Sequence, residues 1–79
     1  MVTTQLPDEE LGRRIKMVRT YAGLTLDELA EKVNLHRTTI AAYQAGRHFP
    51  RPLAKKQRVL EEIAEATGTS IELLTQERL

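Results

Sequence analysis

Six of the chain's twelve lysines and arginines, Arg37, Arg47, Arg51, Lys55, Lys56 and Arg58, fall between His36 and Arg58. Both histidines, His36 and His48, fall there too, and no acid does. The rest of the chain sets six basic residues against eleven acids, so the net charge of +1 conceals a polarised sequence. A positive segment on a near-neutral protein suits an anionic partner such as a phosphate backbone. The plainer reading is a solvated basic face, and charge alone does not choose between the two.

Covalent chemistry has few candidates. There is no cysteine, which excludes disulfides and thiolate metal sites and fits an intracellular home. The one serine, Ser70, is placed to cap a helix. The two histidines are twelve residues apart with no ligand pattern around them. The acid pairs Glu9-Glu10 and Glu61-Glu62 sit in helical segments of mixed charge, where solvation accounts for them. No glycine-rich phosphate loop is present. The chain reads as a non-enzyme with no cofactor, no metal and no small-molecule substrate.

Glycines and prolines divide the 79 residues into elements. Pro7-Asp8-Glu9-Glu10 opens a helix, with acids at the positive end of its dipole. Leu11, Ile15, Val18 and Ala22 follow at helical spacing, and Gly23 ends the run. Gly12 lies inside this helix for no reason visible in the sequence. Thr25-Leu26-Asp27-Glu28 is a capping-box pattern opening a second helix to Val33, with Leu29, Ala30 and Val33 inward. Asn34, able to adopt a left-handed conformation, begins a tight turn through Leu35 and His36.

A third helix is predicted from Arg37 to Ala45, with Ile40 and Tyr43 inward and Gly46 at its end. Tyr43 and Phe49 suit core or loop anchoring better than stacking on a ligand. The loop Arg47–Pro52 leads to a fourth helix over Leu53–Thr67, stopped by Gly68. Ser70 caps a last short helix in which Ile71 and Leu74 face the core. The expected fold is all-α, a single domain of five short helices over residues 1–79, with a flexible 1–7 segment and a tail over 75–79. No signal peptide or apolar span is evident, so a cytoplasmic protein away from membranes is expected.

Between Leu26 and Tyr43 the apolar residues Leu29, Val33, Leu35, Ile40 and Tyr43 combine with a small residue, Ala30, and a turn former, Asn34. Two helices crossing near a right angle through a short turn need this arrangement. The segment resembles the helix-turn-helix of the phage-repressor and Cro family. The resemblance runs from Leu11 to about Leu74, through Leu11–Ile15, Leu24–Ala30, Ile40–Gly46 and Gly68–Leu74. It departs from the family at Leu26, where a glutamine is usual, at Asn34 for glycine and at His36 for a serine or threonine cap. Gln44 stands where a glutamate often pairs with an arginine of the first helix, here Arg19.

The resemblance implies sequence-specific binding of double-stranded DNA, with the helix from Arg37 to Ala45 in the major groove. It places His36, Arg37, Thr38 and Ala42 toward bases and Thr25, Thr39, Arg47, Arg51, Lys55 and Lys56 toward phosphates. Arg37 is suited to guanine, and the Thr38 methyl to thymine. One such module buries little surface, so a homodimer on a near-palindromic operator is implied, with half-sites roughly 34 Å apart. The dimer surface is expected on the last helix, at Leu73, Leu74 and the tail to Leu79. Two other readings stay open: a protein-interaction module of the same fold, and an antitoxin-type regulator that also binds a toxin.

Overall fold

The computed structural model describes residues 6–77. Among them are five helices and no strand: α1 (Asp8–Tyr21), α2 (Leu26–Val33), α3 (Arg37–Gln44), α4 (Leu53–Thr67) and α5 (Ile71–Thr75). The order and limits follow the sequence reading, except that Ala45 caps α3 instead of ending it. The Pro7 carbonyl accepts the amides of Glu10 and Leu11 at 3.0 Å, and Leu6 packs against the core. Of the lead-in expected over 1–7, these two residues are described, and residues 1–5 lie outside the described residues.

Local chemistry sets the helix limits. The capping box of α2 is complete: Thr25 Oγ1 accepts the Glu28 amide at 3.1 Å, and Glu28 Oε1 accepts the Thr25 amide at 2.8 Å. Each of the first four helices ends on a left-handed residue, Gly23, Asn34, Gly46 or Gly68. Behind each, an amide closes back across six residues, as in Leu35 to the Ala30 carbonyl (2.9 Å) and Arg47 to the Ala42 carbonyl (2.8 Å). Asn34 takes φ 58°, ψ 45°, the conformation expected of it. Ser70 precedes α5 but makes no side-chain cap bond, against expectation.

The helices close around Leu11, Ile15, Leu29, Ile40, Leu60, Ile63 and Leu74, all fully buried. Ala22 is exposed as the cap of α1, outside the apolar stripe assigned to it. Leu74 is 0% exposed, which removes it from the expected dimer surface and leaves it in the core, where Ile71 also packs, as the sequence placed both. Leu73 is exposed, Thr75 is buried within α5 instead of opening a tail, and Leu79 lies outside the described residues.

The packing of α1 on α3 explains Gly12. A Cβ there would lie 2.4 Å from the Tyr43 carbonyl oxygen and 2.5 Å from that of Gln44. The backbone of α1 thus rests directly on the C-terminal turn of α3, and a side chain would prevent it. Gly46 repeats the device one turn on, since its Cβ would lie 2.9 Å from the Glu9 Cα.

Candidate nucleic-acid interface

The second and third helices form the expected pair. Ala30, 3% exposed, lets them approach, and Ile40 and Tyr43 fill the angle between them and α1. With those side chains inward, α3 turns Arg37, Thr38 and Ala41 to solvent, with Thr39 and Ala42 half-buried beside them. Thr38, Thr39, Ala41, Ala42, Arg47 and His48 together line a shallow groove on this outer face. The base- and phosphate-assigned residues Thr38, Thr39, Ala42 and Arg47 therefore share one surface. Ala41 and His48 were not assigned from sequence. His48 was signalled only by its place in the basic stretch, and its φ of 66° turns the loop back toward α3.

Three contacts set the start of α3. His36 Nδ1 accepts the Thr38 amide at 3.3 Å, so the imidazole does the work of the family's usual hydroxyl cap. The same nitrogen lies 2.9 Å from Thr38 Oγ1. Arg37 Nε lies 3.3 Å from Asp27 Oδ1, in the first turn of α2. Both side chains of that pair are more than half exposed, so it stabilises little, on the order of 0–1 kcal/mol. It orients Arg37 without immobilising it. Asp27 carried no such role in the sequence, because the pairing exists only once α2 and α3 cross.

The other end of α3 is tied to α1. Arg19 Nε donates to Gln44 Oε1 at 2.7 Å, and its Nη1 donates to the Leu24 carbonyl at 2.7 Å. The hydrogen bond that Gln44 offers in place of an ion pair is thus made. Tyr43 and Phe49 stack with ring centroids 4.7 Å apart and planes within 6°, anchoring the loop as expected.

The basic stretch is divided in two. Arg47, Arg51 and Lys55 are exposed. Lys56 is mostly buried: its Nζ meets Asp8 Oδ1 at 2.7 Å and lies 5.5 Å from the centre of the Phe49 ring. Its charge ties α4 to the start of α1. Thr25, assigned to phosphate, is exposed beside the start of α2, although its oxygen already serves the capping box.

A helix-turn-helix domain profile matches residues 10–76. The chain belongs to that family. Its fold is that of helix-turn-helix DNA-binding transcription regulators, as the repressor and Cro resemblance implied. The clp gene regulator ClgR from Corynebacterium glutamicum is 26% identical over 90% of this chain and 86% of its own, with a TM-score of 0.74. The hypothetical transcription factor NHTF from Neisseria is 25% identical over 90% and 76%, with a TM-score of 0.73. SinR, a master regulator for biofilm formation solved in complex with DNA, is 25% identical over 81% and 95%, with a TM-score of 0.65. No curated protein matches. No helix among the described residues is long and apolar enough to cross a membrane.

Proposed function

We infer that this domain is a sequence-specific regulator that lays α3 in the major groove of double-stranded DNA and acts as a two-fold dimer on a near-palindromic operator. The observation carrying this reading is the polar start of α3. His36, Arg37 and Thr38 are exposed together at the end of a helix whose other face is locked into the core. Arg47, Arg51 and Lys55 extend the surface as phosphate contacts, with Thr39 at the groove's edge and Thr25 at the start of α2. Such contacts position the protein and give the salt dependence, while the groove-facing side chains discriminate. A neighbour of the same fold solved with DNA supports the reading. The dimer contact is carried by Leu73, without Leu74. Repression and a cytoplasmic location belong to the same reading.

Selection of bound sites from a random duplex pool tests it. The expected motif is two-fold symmetric. Arg37→Ala loosens the preference at one base pair, by about 1–3 kcal/mol. Lys55→Ala weakens all sequences alike and lowers the salt slope by about 0.9. An unchanged motif and affinity in Arg37→Ala would refute the placement of α3. Absent or salt-independent binding would favour a protein-docking module instead. That alternative has one observation behind it: Met17 and Tyr21 are exposed one turn apart on α1, beside Arg13 and Lys16.

A further inference from the structure

The first turn of α3 carries more information than a set of exposed side chains, because one hydrogen bond settles the polarity of two of them. A backbone amide can only donate. The Thr38 amide reaches His36 Nδ1 at 3.3 Å, so Nδ1 must present a lone pair and the ring proton must sit on Nε2. The Thr38 hydroxyl lies 2.9 Å from that same Nδ1. Facing a nitrogen without a proton, the hydroxyl is the donor, sharing the single Nδ1 lone pair with the longer amide contact. Its hydrogen is committed inside the protein, and what Thr38 Oγ1 offers outward is its remaining acceptor capacity. The opposite tautomer would set Nδ1–H against the Thr38 N–H and uncap the helix.

We propose that His36 and Thr38 form a polarity-setting pair at the DNA surface, in which His36 presents a donor, Nε2–H, and Thr38 presents an acceptor. The proposal rests on the placement of α3 in the major groove and names what that helix reads. Thr38 would accept from an exocyclic amino group, N6 of adenine or N4 of cytosine. His36 would donate to a base acceptor, guanine presenting two, N7 and O6. This sharpens the sequence reading of Thr38, in which its methyl was matched to thymine. It also makes the two positions interdependent: Thr38 is an acceptor only while His36 takes its hydrogen.

Two measurements test this. Long-range proton–nitrogen spectra of the isotope-labelled free protein, with its imidazoles neutral, should show His36 protonated at Nε2. A ring protonated at Nδ1, or an even mixture, would overturn the proposal whatever the DNA result. Site selection then compares wild type with Thr38→Val and His36→Ser. Thr38→Val keeps the side-chain shape, and the base pair at which it alters preference is the one Thr38 reads. There the wild type should favour an amino-bearing base about tenfold, and Thr38→Val should erase that preference. His36→Ser keeps a helix cap but releases the Thr38 hydroxyl to donate. It should therefore relax the preference at Thr38's base pair although Thr38 is unchanged. A preference there identical to wild type would overturn the proposal. Failure of every duplex to bind selectively would instead overturn the major-groove placement, and the readout with it, while the tautomer result would stand by itself.

Discussion

Replacing Gly12 by alanine sets two physical effects against each other, and the sign of the outcome decides between them. Helix propensity favours the substitution: alanine in a helix interior is about 1 kcal/mol better than glycine. Packing opposes it. The new methyl would lie 2.4 Å from one carbonyl oxygen of α3 and 2.5 Å from the next. To restore ordinary contact, α1 must retreat by more than half an ångström. Both partners are backbone, so no side chain can rotate away, and Arg19–Gln44 holds the same two helices together. Overpacking of this kind costs about 1–3 kcal/mol and more where nothing yields. Because neither backbone can yield, the cost sits at the upper end of that range, about 3 kcal/mol, and with about 1 kcal/mol of propensity gain set against it Gly12→Ala should destabilise the domain by about 2 kcal/mol. A domain of this size loses about 4–8 °C per kcal/mol, so the melting midpoint should fall by roughly 10 °C. Thermal unfolding followed by circular dichroism measures it. Gly23→Ala is the comparison, since its Cβ would meet nothing within 4 Å and only a left-handed φ of 74° opposes it. If Gly12→Ala proved neutral or stabilising, the close crossing of α1 on α3 would be wrong.

Two further substitutions probe other parts of the fold. Arg14 is 5% exposed and donates to Glu10, to the Leu73 carbonyl and to the Gln76 carbonyl. Arg14→Met should cost about 2 kcal/mol and speed amide exchange first in α5, and uniform loss of protection across the domain would contradict that assignment. Burial raises the Tyr43 phenol above its ordinary value of 10.0. A raised value means the folded state retains that proton longer than the unfolded chain does. Tyr43's contribution is therefore complete below the ordinary tyrosine value and is lost as the pH climbs through the folded one. Urea unfolding should show stability declining above about pH 10 in the wild type and less so in Tyr43→Phe. Equal declines in the two proteins would place the alkaline sensitivity elsewhere.

What the sequence made legible was what is local. Thr25 with Glu28, Asn34, Gly46 and Gly68 act on their own helix ends, so their types and spacing suffice. The outward face of α3 was legible because Ile40 and Tyr43 fix which face is inward. Contacts across long separations were not. Arg14 is one of two adjacent arginines in the sequence, and its carbonyl partners lie 59 and 62 residues away. Lys56 looked like any other cation of the basic stretch until Asp8, 48 residues earlier, was placed beside it. The fifth helix misled for a different reason. The spacing of Ile71 and Leu74 turns Leu74 inward, yet Leu73 and the tail drew it into the expected dimer surface; packing of α5 on α1 and α4 keeps it in the core.

Because α1 meets α3 backbone to backbone, α3 has a mechanical datum that owes nothing to side-chain size at that contact. Substitutions among core residues outside α3, such as Leu60 and Ile63 of α4, can alter how firmly the domain holds together while that backbone contact stays in place. Outward residues of α3 can be exchanged with little effect on the scaffold, since Arg37, Thr38 and Ala41 are exposed and the Arg37–Asp27 pair is solvent-screened. Stability and the chemistry of the outer face of α3 are therefore separately adjustable in this domain. The cost is a narrow tolerance at Gly12 and Gly46, where a single methyl group would shift α3 against α1.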